Sequence, residues 1–179
     1  RVVYQCGAQL WLFDPASDAT RRIEIRVPAH RTQAARRFVP AADHLEGFDL
    51  HPQGHSLALG ARGRLFSFAL WEGAVRQHGV AQGVRYRLGR WLADGASQVV
   101  VSDAGGEERI ELVTPDGTRT LDWDVGRVIA LAAAPKGRRI AITNHRNEVL
   151  VGDLDTGQLA VADRSDCGRS EELAWSPDG

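Results

Sequence analysis

Few side chains in this sequence have the types and spacing that catalysis requires. Glu107 and Glu108 are adjacent carboxylates in the stretch DAGGEERIEL. Two groups that act as general acid and base must face one another across a cleft, whereas neighbouring residues of a strand point to opposite faces. We therefore expect Glu107 and Glu108 to lie in a solvated hairpin turn.

Two other stretches match metal-binding patterns only in part. Asp153 and Asp155 in GDLDTG have the alternate spacing of some calcium loops, but an EF-hand loop needs a Glu at its twelfth position, which here is Arg164. An Asx-type turn is expected there instead. His145 in TNHRNEV has no second His or Cys nearby, so we expect a hairpin turn and no zinc site.

Nucleophilic catalysis finds no better support in the sequence. No serine stands in a Gly-x-Ser-x-Gly setting, and spacing nominates no Ser–His–Asp arrangement. The sequence predicts no catalytic residue, no metal site and no cofactor. We expect that the chain by itself does not cleave peptides.

A basic stretch offers the one candidate binding site. Residues 28–47, PAHRTQAARRFVPAADHLEG, form a predicted loop that is long for a connection between strands. Within it His30, Arg31, Arg36 and Arg37 form a basic stretch, and Phe38 is their only aromatic neighbour, which is too little for a nucleic-acid stacking platform. Two interpretations stay open, a solvated loop or a gate loop that meets acidic peptide ends or a partner domain.

Composition narrows the class of protein. The chain has 179 residues, 43% of them hydrophobic, which suits one ordinary globular domain. A net charge of −1 argues against a general attraction to nucleic acid or to an anionic membrane. Cys6 and Cys167 are expected to be reduced thiols of a cytoplasmic protein. Because the chain begins with Arg1 and contains no Met, we expect it to be a piece of a longer protein.

An internal repeat shows which elements must position these residues. Turns ending in glycine recur at Gly54, Gly95, Gly137 and Gly179, with separations of 95 − 54 = 41, 137 − 95 = 42 and 179 − 137 = 42 residues. Each unit contains short runs rich in β-branched and aromatic residues, such as SLALGAR, SQVVVSD and RRIAITN. Four antiparallel strands in about 40–45 residues are typical of a β-propeller blade.

The repeat predicts the organisation of the whole chain. We expect an all-β fold of about four blade-equivalents. The predicted parts are the last three strands of a blade (1–27), the long loop (28–47), three blades (48–83, 84–125 and 126–170) and the first strand of a further or ring-closing blade (171–179). Trp91 and Trp175 occupy equivalent positions, so we expect both to pack between blades.

Longer segments resemble a known family. The stretches LEGFDLHPQGHSLALGARGRLFSFALWEGAVRQHG, GVRYRLGRWLADG, NHRNEVLVGDLDTG and LAWSPDG together are similar to the propeller region of tricorn proteases, in particular their bacterial homologues. The resemblance covers essentially the whole chain. It implies a fragment of a larger, seven-bladed propeller that filters and guides peptides in a cytoplasmic serine peptidase.

That resemblance sets the expected function and partners. The chain would be a non-catalytic scaffold and peptide gate, whereas the catalytic residues of the family lie in domains outside this sequence. Expected partners are peptides and other domains of the parent peptidase, itself a homo-oligomer, with no nucleic acid and no membrane. The alternative is a protein-interaction propeller of the Tol-system type without an associated hydrolase.

The segment LAWSPDG poses a pairing problem, because a strand at Leu173–Ser176 needs a partner for its amides. It can pair beside Val2–Gln5 in the same chain and close a four-bladed ring. It can also pair with those strands in a second copy. Blades shaped for a seven-bladed ring would strain a four-bladed closure, so we expect exchange between two copies.

Overall fold

Short strands separated by glycine-containing turns dominate the computed structural model, which describes residues 1–6, 9–26, 39–80 and 83–179. The chain divides into two units, Arg1–Val39 and Pro40–Gly179. Within the described residues, no helix has the length and apolar character needed to cross a membrane.

The first unit contains one antiparallel sheet. Its strands are β1 (Val2–Cys6), β2 (Gln9–Asp14) and β3 (Ala19–Ile23), in the order β1-β2-β3. The Asp14 side chain accepts a hydrogen bond from the backbone N–H of Ala16 at 3.2 Å, which shapes the turn into β3. Three strands of one blade are what the repeat predicts for this part of the chain.

The second unit contains three four-stranded antiparallel sheets, each with its strands in sequence order. The first blade has β4 (Leu45–Leu50), β5 (Ser56–Ala61), β6 (Arg64–Ala69) and β7 (Arg76–His78). The second has β8 (Tyr86–Trp91), β9 (Gln98–Ser102), β10 (Arg109–Thr114) and β11 (Gly117–Thr120). The third has β12 (Val128–Ala133), β13 (Arg139–Asn144), β14 (Glu148–Asp153) and β15 (Leu159–Arg164). The prediction of an all-β chain of propeller blades is confirmed.

The predicted long loop ends earlier than its sequence boundary. A short 3-10 helix covers Ala41–His44, and β4 begins at Leu45, inside the range 28–47. The residues from 27 to 38 lie outside the described part of the chain.

The blades pack through their faces, and their first strands lie beside one another. β4 contacts β8, and β8 contacts β12. Each of these first strands contains an irregularity in register, at Leu45/Gly47, Arg87/Arg90 and Val128/Ala130. The irregularities of β4 and β12 lie at equivalent positions of the repeat, and a bulge strengthens the local twist of its strand.

The main core lies between the second and third blades. Its largest fully buried side chains are apolar and branched, and they come from the middle strands of both sheets, among them Val99, Val101, Ile110, Leu112, Ile140, Ile142 and Leu150. The strands β9 and β13 are buried nearly throughout, and apolar side chains of both strands contribute to this core.

The segment after β15 packs on the third blade without forming a strand. Residues 171–176 belong to no sheet. The indole Nε1 of Trp175 donates to the carbonyl of Ala132 at 3.2 Å, and the guanidinium of Arg139 lies 5.6 Å from the centre of the Trp175 ring. Trp175 therefore packs against the third blade, whereas its predicted packing between two blades stays a prediction. The pairing of Leu173–Ser176 with a strand of this chain or of a second copy stays a prediction.

Candidate functional site

The hairpins of the three complete blades mark one end of the second unit. The connections β5–β6 (62–63), β9–β10 (103–108) and β13–β14 (145–147) all lie beside the start of the first strand of their own blade, as the antiparallel registers require. We call this the hairpin end. The opposite end, which carries the β4–β5, β8–β9 and β12–β13 connections, is the turn end.

A basic residue stands immediately before each first strand at the hairpin end. His44, Arg85 and Arg127 each lie ten residues before a turn glycine, as 54 − 44, 95 − 85 and 137 − 127 all equal 10. Arg169 has the same spacing from Gly179, since 179 − 169 = 10. We call these four residues the basic collar.

Backbone hydrogen bonds place three of the collar residues in the same way. The carbonyl of His44 accepts from the N–H of Arg62 at 3.3 Å, and that of Arg85 accepts from Asp103 at 3.3 Å. The carbonyl of Arg127 accepts from the N–H of His145 at 2.9 Å. Each bond joins the start of a first strand to the hairpin of its own blade, so the repeat fixes the backbone position of the collar.

Side chains of the hairpins complete two of these junctions. The carboxylate of Asp103 accepts from the backbone N–H of Arg85 at 2.7 Å. The Nδ1 atom of His145 accepts from the backbone N–H of Arg127 at 2.9 Å. An imidazole nitrogen that accepts carries no proton, so the neutral ring of His145 is protonated on Nε2. His145 thus forms a hairpin turn, as expected, and holds the collar backbone.

The arginine side chains of the collar stay largely in solvent. Arg85 lies 3.7 Å from the carboxylate of Glu46, with 61% of its side chain exposed. Arg169 pairs with Glu171 at 2.7 Å and is 57% exposed. Arg127 is exposed, and its guanidinium has no ion pair within the described residues. Ion pairs this exposed are weak, so the guanidinium groups remain available to an anionic ligand.

A cavity of about 690 Å³ opens beside Arg127 between the second and third blades. Its lining is mainly charged and includes Glu107, Arg109, Asp122, Asp124, His145 and Arg146. Asp124 is paired with Arg146 at 2.9 Å, and hydrogen bonds from this arginine hold the pKa of the Asp124 carboxyl below its ordinary value. The acidic and basic groups of the cavity are thus already partly paired.

Glu108 departs from the expected solvated turn. It forms an ion pair with Arg87 at 2.6 Å, and only 21% of its side chain is exposed. It also accepts from the backbone N–H of Val128 at 2.7 Å, while Arg87 donates to the carbonyl of the same residue. The reason is tertiary, because the partners of Glu108 come from β8 and from the next blade. Glu107 is exposed at the hairpin, as expected.

A second set of hydrogen bonds joins successive first strands to one another, nearer to the turn end. The carboxylate of Asp49 accepts from the backbone N–H of Trp91 at 2.7 Å. Arg90, the equivalent of Asp49 in the next repeat, donates from Nε to the carbonyl of Leu131 at 3.1 Å. Burial raises the pKa of Asp49, although the bond from Trp91 and the charge of Arg90 oppose that shift.

Among the described residues, no cluster of three or more His, Cys, Asp or Glu side chains has the arrangement of a metal site. Asp153 forms the predicted Asx-type turn, because its Oδ1 accepts from the N–H groups of Asp155 at 3.0 Å and Thr156 at 2.9 Å. Its pKa lies below the ordinary value, chiefly because of the bond from Thr156.

The basic loop named from the sequence lies outside the described residues, so His30, Arg31, Arg36 and Arg37 stay predictions. The basic collar was not singled out from the sequence. Its signal was present in the constant spacing of ten residues between each basic residue and its turn glycine.

Comparison with known proteins identifies the family. Residues 45–179 match the family described as the second β-propeller domain of tricorn protease. This chain belongs to the tricorn protease family.

Relatives of this tricorn chain are much longer than the chain itself. It is 32% identical over 188 residues to "Tricorn protease homolog 1" of Streptomyces coelicolor, covering 99% of this chain and 18% of the relative. It is 26% identical over 178 residues to "Tricorn protease homolog" of Saccharolobus solfataricus, covering 99% of this chain and 16% of the relative. The chain therefore spans less than one-fifth of either relative.

Solved structures support the same fold. The crystal structure of the tricorn protease matches with a TM-score of 0.69 and 19% identity, over 98% of this chain and 17% of the other. A TolB structure from Agrobacterium tumefaciens matches with a TM-score of 0.56 and 15% identity, over 86% of this chain and 55% of the other. At these identities the structures show the fold alone. The family match favours the tricorn assignment over a Tol-type scaffold.

Proposed function

We propose that this tricorn propeller segment guides peptides toward the active site of a larger serine peptidase and selects them by charge at the basic collar. The recurrence of a basic residue before each first strand is the observation that supports the proposal. Successive first strands lie beside one another, so His44, Arg85 and Arg127 lie around the same end of the same strands. The positive charges of Arg85 and Arg127 favour peptides with acidic side chains or a free carboxylate.

The chain itself contributes binding and positioning rather than bond cleavage. The proposed setting is a cytoplasmic, homo-oligomeric peptidase whose other domains carry the catalytic groups. Peptides would meet the collar before they reach those domains. Long-range attraction by clustered charges raises the rate of encounter, and salt screens it with a Debye length of about 8 Å at physiological ionic strength.

Charge removal at the collar tests this proposal. The combined substitutions Arg85→Gln, Arg127→Gln and Arg169→Gln, made in the full-length peptidase, should lower kcat/KM for an acidic peptide by about tenfold at low salt. The loss should fall on KM rather than kcat, and it should shrink at high salt. Hydrolysis of a neutral peptide of equal length should change little.

A variant of equal charge provides the control. Arg21→Gln, Arg22→Gln and Arg76→Gln remove three positive charges from the exposed strands β3 and β7. This control should leave the preference for acidic peptides intact. Equal losses for acidic and neutral peptides in the collar variant would contradict selection by charge.

The basic loop provides a second, separate test. If His30, Arg31, Arg36 and Arg37 also form part of a gate for peptides, replacing the three arginines by Ala should weaken binding of acidic peptides by the full-length protein. Circular dichroism should show an unchanged fold, since an exposed loop contributes little to stability. An unfolded triple variant would argue against a gate loop.

A further inference from the structure

The β6–β7 connection of the first blade exposes apolar side chains at the turn end. Residues 70–75 join β6 to β7, and within them Trp71 is 91% exposed, Val75 65% and Leu70 40%. Tryptophan is usually well covered in folded proteins, so an indole this exposed is uncommon. We call Leu70, Trp71 and Val75 the tryptophan loop.

The equivalent connections of the other two complete blades show that the fold does not need an exposed aromatic residue there. The β10–β11 connection consists of Pro115 and Asp116. The β14–β15 connection buries its apolar residue, Leu154, to 2% exposure, and its remaining turn is capped by Asp153. The tryptophan loop is therefore an addition to a blade that closes without it.

The base of the tryptophan loop is attached to the blade. The N–H of Leu70 donates to the carbonyl of His55 at 3.0 Å, which joins this connection to the β4–β5 connection beside it. A side chain presented from a fixed base loses less conformational freedom on binding than one on a free segment. The loop thus has the properties of an anchor.

We propose that the tryptophan loop docks into an apolar pocket on another domain of the same full-length polypeptide. The chain spans 15–20% of its curated relatives, so domains of several times its size accompany this propeller in those proteins. This inference rests on the proposed function, because it takes the collar at the hairpin end to receive peptides. The opposite end of the blades, the turn end, would then face the other domains of the peptidase.

The chemistry of the loop agrees with a domain interface rather than a peptide site. A peptide filter must release many sequences, whereas Trp in a fully desolvated pocket is among the residues that contribute most to stable interfaces. Glu72 is the single charged residue in the connection of residues 70–75. The apolar side chains of the tryptophan loop are therefore not accompanied by a cluster of charges within that connection.

Oxidation of indoles by N-bromosuccinimide in the full-length protein tests the proposal, with peptide-resolved mass spectrometry following each tryptophan. Trp123, 6% exposed, provides the slow standard, and the urea-unfolded protein provides the fast one. Trp71 should react at least about tenfold more slowly in the folded protein than in the unfolded one. A smaller reduction in rate would overturn the proposal.

Dilution and substitution separate the possible occupants of the interface. Protection of Trp71 that persists on dilution to monomer supports a pocket within the same polypeptide, whereas protection that disappears on dilution shows a second copy and overturns the proposal. Trp71→Ala should weaken docking by about 30-fold, measured as the fraction of protein with this domain detached in hydrogen exchange. Val161→Ala, at a residue 55% exposed on β15, should have no such effect.

These measurements use no peptide substrate. Failure of the collar variants to discriminate between peptides would therefore leave the result for Trp71 standing. Conversely, a fully accessible Trp71 would leave the peptide selectivity of the collar untouched.

Discussion

Glu148 shows how a single buried carboxylate can hold a hairpin. Its side chain is 6% exposed and accepts hydrogen bonds from Asn144 at 2.7 Å and from Arg146 at 2.9 Å, as well as from Arg164. Asn144 also donates to the carbonyl of Val125 at 3.1 Å, which links the hairpin to the connection before β12. The charge of Glu148 is thus compensated by two arginines and an amide, which makes its burial tolerable.

The same contacts predict acid sensitivity. Hydrogen bonds from Asn144, and then from Arg164 and Arg146, lower the pKa of Glu148 below its ordinary value of 4.5. A carboxyl whose pKa is lower in the folded protein stabilises the fold above its ordinary pKa, and this stabilisation is lost as the pH falls through the lowered value. Urea unfolding should therefore show stability that declines below about pH 4.5.

Substitution isolates the contribution of this carboxylate. Glu148→Gln should lower the free energy of unfolding at pH 7 by about 2 kcal/mol and flatten the acid decline, because two arginines lose their charged acceptor. The exposed Glu107→Gln is the matched control and should change neither quantity. An acid decline of unchanged steepness in Glu148→Gln would show that other groups cause it.

At the scale of elements, each pair of successive first strands is joined at a repeated position by different chemistry. A carboxylate from Asp49 joins the first two blades, and a guanidinium from Arg90 joins the second and third. An indole from Trp175 bonds to the residue equivalent to Arg90, Ala132. The position of the junction within the repeat is therefore constant, whereas the type of residue that forms it varies.

The packing of the second blade on the third is also set by close approach at Gly152. The ring of Trp123 lies over this residue of β14, and its Nε1 donates to the carbonyl of Gly157 at 2.8 Å. A Cβ at position 152 would come within 2.5 Å of the Trp123 ring. The ring cannot move away without losing its hydrogen bond.

Gly152→Ala should therefore destabilise the protein by about 1–3 kcal/mol, as in other overpacked cores. Chemical denaturation followed by tryptophan fluorescence measures this change. Gly47→Ala is the control, because Gly47 also lies in a strand but a Cβ at that position would meet no atom within 4 Å. Equal effects of the two substitutions would rule out the contact with Trp123 as the cause.

At the scale of the whole molecule, the sequence left the partner of Leu173–Ser176 open, and this segment lies in no sheet of a single chain. Its contacts with the third blade come from Trp175 and from Gly179, whose carbonyl accepts from Arg139 at 2.8 Å. The carbonyl of Ser176 accepts from the N–H of Gly179 at 3.0 Å, so a partner strand would pair chiefly with residues 173–175.

Strand exchange between two copies predicts a dimer. Light scattering should give twice 19.5 kDa at high concentration, and hydrogen exchange should show protected amides at 173–176. Deleting residues 173–179 should yield a monomer that keeps the three complete blades folded. A monomer of 19.5 kDa at all concentrations, with the segment protected, would contradict exchange.

Local signals in the chain specify the repeat, the strands and the turns. Strand alternation, Asx turns such as that at Asp153 and glycines with positive φ such as Gly95 depend on neighbouring residues, so a short stretch of sequence is enough to predict them. The pairing of charges depends instead on tertiary contacts. The sequence predicts Glu108 in solvent, but the folded chain brings it to Arg87, 21 residues away. The collar shows in the sequence only as a constant spacing of ten residues between each basic residue and its turn glycine. Its assembly at one end of the blades depends on contacts between first strands about 42 residues apart, which the local sequence does not specify.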